Sequence, residues 1–111
     1  MDQYVPVILE SPYAGEVETN ERYARACMRD CLYRGEAPFA SHLLYTQEKV
    51  LDDLVQEERD MGIHAGFAWR TVAKKTVVYQ DRGISRGMKY GIEHAEKSGH
   101  EVEYRNLAGW K

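Results

Sequence analysis

The hydrophobic positions of the chain follow first a strand pattern and then a helix pattern. An almost continuous apolar and β-branched run at residues 4–9, with Pro6 near its start, predicts a strand buried on both faces of a sheet. Four apolar residues then recur at helical spacing: Ala24, Cys27, Met28 and Cys31. They predict a helix over residues 16–34, ended by Gly35. The chain therefore opens as strand, loop and helix.

The same alternation continues to the end of the chain. Further strands are predicted at residues 36–40, 76–79 and 100–104, the last of them at a sheet edge. Ser85 has the residue type of a helix N-cap, and the helix after it is predicted to run to about residue 98.

The segment between the second and third strands is less regular. Apolar residues at helical spacing occupy residues 50–55, but Gly62 and Gly66 interrupt the continuation towards Trp69. Because glycine weakens a helix, the pattern predicts either one helix with a break or two short helices.

This order of elements predicts the fold class. Four strands alternating with helices, without a repeat or a low-complexity linker, indicate a three-layer α/β domain with a mainly parallel sheet. The 111 residues suit a single domain over residues 1–111. In such sheets ligands bind beyond the carboxyl ends of the strands, which points to the loops at residues 10–15, 41–45 and 81–87.

Composition and charge narrow the class of partner. Fifteen Lys and Arg against 18 Asp and Glu leave a net charge of -3, without a basic block for duplex nucleic acid. The sequence contains no apolar run near the roughly 20 residues of a membrane span. Its first residues resemble no secretory leader, so a cytoplasmic location is expected.

The two cysteines, Cys27 and Cys31, share one face of the predicted helix. Their C-x-x-x-C spacing differs from the C-x-x-C of redox sites. Two buried reduced thiols are the simpler interpretation, and a metal pair completed by a distant His is the alternative. No metal or cofactor is predicted.

The loop at residues 81–87 is the first candidate for chemistry, because it leads from a strand directly into a helix start. Free backbone N–H groups, the Ser85 hydroxyl and Arg86 suit a phosphate, although an ordinary turn with a serine cap has the same residues. Asp81 could accept a ribose hydroxyl hydrogen bond or act as a base. It could equally cap a turn.

Two further loops carry candidate residues. Tyr13 after the first strand could stack on a base or a sugar, or serve as a packing aromatic. His42 near the end of the second strand could be an acid, a base or a ligand contact, or have a structural role. The sequence contains no Walker loop, nucleophile elbow or H-E-x-x-H motif.

Several segments together resemble a known family. They are Ser11-Pro12-Tyr13-Ala14-Gly15 with Asn20, the run Pro38-Phe39-Ala40-Ser41-His42-Leu43-Leu44, Leu51-Asp52-Asp53, Glu58-Arg59-x-x-Gly62 and Gly83-Ile84-Ser85-Arg86-Gly87-Met88. They are similar to the small, often phage-encoded relatives of nucleoside 2-deoxyribosyltransferase. The resemblance implies a flavodoxin-like domain, usually oligomeric, with a nucleoside or nucleotide pocket at the strand ends. In catalytic members a glutamate attacks the anomeric carbon.

The resemblance implies ligand-binding positions at Ser11, Tyr13, Asn20, His42, Asp81, Ser85 and Gly87. Residues beside them in the same loops are predicted to contact the ligand as well: Pro12, Gly15, Gly83, Arg86 and Met88. The chain departs from the family at two places. Ser41 replaces a proline, and Gly91 stands where relatives carry the glutamate nucleophile. Glu93 does not replace that glutamate, because it lies about 200° further round the helix.

Three functional hypotheses follow. The first is a protein that binds a nucleotide-like ligand without cleaving it, sequestering a signal in the host cytoplasm if a phage encodes it. The second is an N-glycosidase or deoxyribosyltransferase that uses another carboxylate at a strand end, Asp81 or Glu10. The third is a structural role with a relic pocket. Small-residue pairs, Gly62/Gly66 and Gly87/Gly91, also predict a homo-oligomer formed through helices.

Overall fold

A computed structural model describes residues 3–110 of the chain. Its strands are Val5–Glu10 (β1), Glu36–Phe39 (β2), Lys75–Tyr79 (β3) and Glu101–Arg105 (β4). Its helices are Val17–Tyr33 (α1), Ser41–Leu44 (α2), Gln56–Ala68 (α3) and Arg86–Lys97 (α4). One turn of 3-10 helix at Trp69–Thr71 follows α3. The four predicted strands are confirmed, with ends that differ by one residue at most.

The four strands form one parallel sheet in the order β2-β1-β3-β4. In the centre of the sheet, Ile8 of β1 is in register with Phe39 on one side and Thr76 on the other. The predicted edge position of β4 is confirmed. This order is that of a flavodoxin-like sheet, so the carboxyl end of β1 lies at the point where the chain reverses its direction of winding.

Helices cover both faces of the sheet. On one face, α1 packs against alternate residues of the strands in a buried cluster that includes Tyr23, Cys27, Cys31, Val7, Leu9, Val77 and Tyr79. On the other face, Met88 and Ile92 of α4 pack against Val78. Because successive strand residues point to opposite faces, β3 supplies Val77 to one core and Val78 to the other. The three-layer flavodoxin-like α/β class is therefore confirmed.

The segment between β2 and β3 differs from the prediction. Residues 45–55 form turns, and α3 begins only at Gln56. The carboxylate of Asp52 accepts a hydrogen bond from the backbone of Leu54, and the Asp52 amide donates to Glu58. These local bonds replace the helical ones, so the apolar residues of this segment do not form a helix face and Leu54 is 95% exposed.

The predicted break in this helix is also wrong, because Gly62 and Gly66 lie inside a continuous α3. A Cβ at Gly66 would stand 2.8 Å from the Cβ of Ser41, and one at Gly62 would stand 3.3 Å from Leu51. Both glycines thus allow α3 to lie close against α2 and the turns that follow it. They are used within the chain, and the homo-oligomer stays a prediction.

The cysteines are both buried free thiols that face the α1 side of the core. Cys31 lies beside the hydroxyl of Tyr79, and burial raises the pKa of its thiol to about 11. Among residues 3–110, no three His, Cys, Asp or Glu side chains are grouped so that they could hold a metal ion. No helix in the same range combines the length and apolarity that a membrane span requires.

Candidate functional site

A cavity of about 370 Å³ lies where the carboxyl end of β1 meets α2 and the first turn of α4. Its volume is within the range of small-molecule sites, roughly 300–1,000 Å³. Most of the candidate residues line it together: Glu10, Ser11, Tyr13, Gly15, His42, Ser85, Arg86, Gly87 and Met88. The topology thus brings three loops that are far apart in the sequence to one place.

Glu10 occupies the floor of this cavity, directly against Gly91 of α4. A Cβ placed on Gly91 would lie only 2.7 Å from the carboxyl carbon of Glu10. Any side chain at residue 91 would therefore have to displace the Glu10 carboxylate. The carboxylate at the end of β1 fills the space beside α4 that a side chain at position 91 would otherwise take.

The surroundings of Glu10 change its protonation. Its side chain is only 17% exposed, and its partner in the structure is the buried guanidinium of Arg70, with Nη2 3.5 Å from Oε2. Burial raises the pKa of Glu10 to about 7, while the charge of Arg70 acts in the opposite direction. Glu10 can consequently be either a carboxylic acid or a carboxylate near neutral pH.

Arg70 is itself firmly held. Its Nε donates to Thr76 Oγ1 at 3.3 Å, Nη1 lies 2.7 Å from His94 Nδ1, and its guanidinium stacks over the ring of Phe67. A buried guanidinium with these partners has one preferred position. Arg70 therefore fixes the position of the Glu10 carboxylate, although Arg70 itself does not line the cavity.

Ser11 and His42 form a second polar pair in the cavity. Ser11 Oγ lies 2.7 Å from His42 Nε2, which is hydrogen-bond distance. Burial lowers the pKa of His42 to about 4, so its imidazole is neutral at neutral pH. Tyr13 contacts the same ring edge-to-face, with centroids 6.5 Å apart. This wall offers neutral hydrogen-bonding groups and an aromatic ring rather than charge.

The first turn of α4 forms the opposite wall. Ser85 is the predicted N-cap, and its hydroxyl accepts a hydrogen bond from the backbone N–H of Met88 at 3.3 Å. Gly87 lies on the cavity surface, and a Cβ there would meet no atom within 4 Å. The helix start therefore presents open backbone beside Arg86, an arrangement suited to anions.

Four of the candidate residues do not line the cavity: Pro12, Asn20, Asp81 and Gly83. Asn20 supports the site from behind, because its amide donates to the carbonyls of Tyr13 and Ala14 at 3.0 and 3.2 Å. Its side-chain oxygen accepts a hydrogen bond from Arg82. Asn20 thus holds the loop that carries Tyr13 and does not itself line the cavity.

The carboxylate of Asp81 forms hydrogen bonds that connect parts of the fold. Its carboxylate accepts hydrogen bonds from the hydroxyl of Tyr23 and from the backbone N–H of Leu107 at 2.9 Å. These bonds tie α1 and the segment after β4 to the end of β3. Asp81 therefore does not line this cavity, and both of its carboxylate oxygens accept hydrogen bonds from other parts of the fold, so its role at a ligand stays a prediction.

The remaining cavity residues were not predicted from the sequence as ligand-binding positions. They come mainly from α2, α3 and the turns between them: Ala14, Ser41, Tyr45, Thr46, Leu51, Asp53, Glu58, Arg59, Gly62 and Ile63. The segments around Asp53 and Arg59 are two of those that carry the family resemblance, so a signal for them was present. Asp53 and Arg59, which both line the cavity, approach each other to 4.0 Å.

A comparison with protein families gives one match. The sequence profile of a domain of unknown function, DUF7768, matches residues 5–105 and therefore all four strands. The chain belongs to the DUF7768 family. No curated protein and no solved structure matches it. The resemblance to nucleoside 2-deoxyribosyltransferases stays a prediction.

The cavity of this DUF7768 domain combines three kinds of chemistry. Arg86 and the α4 start can bind an anion, Ser11 and His42 can exchange hydrogen bonds with hydroxyl groups, and Glu10 can accept or donate a proton. Tyr13 adds an aromatic surface. These groups line one space of about 370 Å³.

Proposed function

We propose that this domain binds a nucleoside or nucleotide in the cavity at the end of β1 and holds it without cleaving it. The observation that carries the proposal is the meeting of the open α4 start, the Ser11–His42 pair and Tyr13 around one cavity. A phosphate, a sugar hydroxyl and a flat ring each have a matching group there.

The expected orientation of the ligand follows from the charges. The phosphate lies against Arg86 and the backbone of Gly87, where the helix start is partly positive. The sugar hydroxyls lie towards Ser11, His42 and Glu10, because neutral and acidic groups are good partners for hydroxyls. Binding without cleavage is supported by Gly91, since glycine has no side chain that could attack a sugar.

A ligand screen tests this proposal. Nucleosides and nucleotides are added in a thermal-shift measurement, and each stabilising compound is then analysed by chromatography after incubation. A ligand at 100 times its dissociation constant adds about 2.7 kcal/mol, which raises the melting temperature by several degrees. Recovery of the intact ligand supports sequestration. The absence of any stabilising nucleoside or nucleotide would contradict the proposal and favour a structural role.

A second candidate function is an N-glycosidase that uses Glu10. It is supported by the position of the Glu10 carboxylate, which fills the space beside Gly91 and lines the cavity. In this reaction a Glu10 carboxylate oxygen attacks the anomeric carbon while the bond to the base breaks. The base leaves with the electron pair and takes up a proton, and water then hydrolyses the glycosyl ester.

The two candidates give different products and different variant behaviour. The glycosidase releases free base, and Glu10→Gln abolishes that release because an amide is a poor nucleophile. Asp81→Asn serves as the matched control, since Asp81 lies outside the cavity and its loss should leave base release in place. If base release continues in Glu10→Gln, Glu10 is not the nucleophile.

The cytoplasmic location and the homo-oligomer belong to the same proposal. A small nucleotide-like ligand in the cytoplasm, or in the host cytoplasm for a phage-encoded chain, is the expected partner. A mass of one subunit by light scattering would contradict the oligomer without affecting the ligand proposal.

A further inference from the structure

A second cavity adjoins the first on the outer side of α4. Its volume is about 460 Å³, and it lies between α3 and α4. Four residues line both cavities: Arg59, Ile63, Arg86 and Gly87. A ligand at the start of α4 therefore has a further space open to it in the direction away from Glu10.

The two cavities differ in charge. The first contains three acidic side chains, Glu10, Asp53 and Glu58, besides the two shared arginines. The second contains the same two arginines together with Lys89, against two acidic groups, Asp60 and Glu93. Two of the three positive side chains, Arg59 and Arg86, therefore line both cavities, and Lys89 adds a third in the second cavity. This positive region belongs to a chain whose net charge is -3.

Two of these three cations make no ion pair among residues 3–110. In the part of the chain that the structure describes, neither Arg86 nor Lys89 forms an ion pair with a carboxylate. Arg59 forms a long ion pair of 4.0 Å with Asp53. Three cations around adjoining concave surfaces raise the local concentration of an anion and can bind several phosphate oxygens.

We propose that the ligand carries two or more linked phosphates, with the nucleoside in the inner cavity and the phosphate chain passing Arg86 towards Lys89. The inference rests on the proposed function and names its ligand class. Arg86 and the start of α4 are sufficient to bind a single phosphate. A longer phosphate chain also uses Arg59 and Lys89, and its negative charge lies away from the acidic inner cavity.

Binding measurements on the full chain test the inference. Affinities are compared for one nucleoside and its 5′-mono-, di- and triphosphates, in the native protein, in Lys89→Gln and in Lys97→Gln. Lys97 lies on the same helix but lines neither cavity, so it is the matched control. We expect the triphosphate to bind at least about tenfold more tightly than the monophosphate, as an added charge-assisted contact implies.

The variants locate the extra contact. Lys89→Gln should weaken the triphosphate about fivefold to tenfold and leave the monophosphate within a factor of two, while Lys97→Gln changes neither. Equal affinity for mono- and triphosphate, or an equal loss for both in Lys89→Gln, overturns the inference while the proposed function stands. A pyrophosphate-linked dinucleotide measured beside the diphosphate shows which source of linked phosphates is preferred.

Inorganic tripolyphosphate separates this inference from the proposed function. If no nucleoside or nucleotide binds but tripolyphosphate binds in a Lys89-dependent manner, the phosphate-chain site stands and the proposed function falls. If tripolyphosphate and every nucleotide fail to bind, both are overturned.

Discussion

The carboxyl carbon of Glu10 lies 2.7 Å from the position that a Cβ on Gly91 would have. Two residues separated by 81 positions along the chain therefore share one volume between β1 and α4. Arg70 holds the carboxylate from the other side through an ion pair of 3.5 Å. The carboxylate of Glu10 can thus line the cavity only because residue 91 has no side chain.

Gly91→Ala is expected to destabilise the protein because the new methyl group displaces Glu10 from Arg70. Overpacking of this kind costs about 1–3 kcal/mol, partly offset by about 1 kcal/mol from the higher helix propensity of alanine. Urea denaturation gives the free energy of unfolding. Gly87→Ala on the same helix is the control, since its Cβ meets open space, and it should not destabilise the fold.

The coupling between the two positions can be measured directly. In a Glu10→Ala background, Gly91→Ala should lose most of its destabilising effect, because the clashing carboxylate is absent. Equal effects of Gly91→Ala in both backgrounds would show that the two residues do not compete for the same space.

Glu10 and His42 are expected to give opposite pH dependences of stability. The raised pKa of Glu10, from 4.5 to about 7, means that the folded state binds more protons than the unfolded state between these pH values, so Glu10 lowers the stability of the fold as pH rises. The lowered pKa of His42, from 6.5 to about 4, means that the folded state binds fewer protons than the unfolded state, so His42 raises the stability of the fold as pH rises from 4 to 6.5. In the native chain the two effects partly cancel.

Single variants separate the two effects. Relative to the native chain, Glu10→Gln should gain stability as pH rises from 4.5 to 7, and His42→Gln should lose relative stability from pH 4 to 6.5. Each change is on the order of 1–3 kcal/mol. Denaturation midpoints measured across pH 4–8 check both signs. A difference from the native chain that does not vary with pH would contradict the pKa shift of the replaced group.

Asp81→Asn is expected to affect stability and not the ligand. Its carboxylate accepts hydrogen bonds from Tyr23 and Leu107, so the variant should lose about 1–2 kcal/mol of unfolding free energy. The dissociation constant of any nucleotide that the screen identifies should stay the same. A large loss of affinity without a loss of stability would return Asp81 to the ligand site.

Gly87→Leu is expected to block the cavity with little effect on the fold. The Cβ at this position stands in open space on the cavity surface, and leucine is a better helix former than glycine. The melting temperature without ligand should therefore be unchanged or higher, while the ligand-induced shift disappears. A full ligand-induced shift in this variant would place the ligand elsewhere.

The alternation of strands and helices could be predicted from the sequence because it depends on local periodicity. The buried run before Glu10 and the Ser85 cap each specify their element through near neighbours. A helix between β2 and β3 was predicted, but its start at Gln56 and its continuity were not, since the bonds of Asp52 and the packing of Gly66 against Ser41 outweigh the local pattern. Helix propensity is weak compared with such contacts.

The sequence by itself determined the fold class and the end of the sheet at which a site could form, because parallel strands bring their carboxyl ends to one edge. Only the tertiary structure decided which strand-end carboxylate faces the cavity. Asp81 and Glu10 are equivalent in sequence terms, but Tyr23 and Leu107 occupy the first, while Gly91 leaves room for the second. That difference arises from residues distant in the chain, whose packing no local pattern encodes.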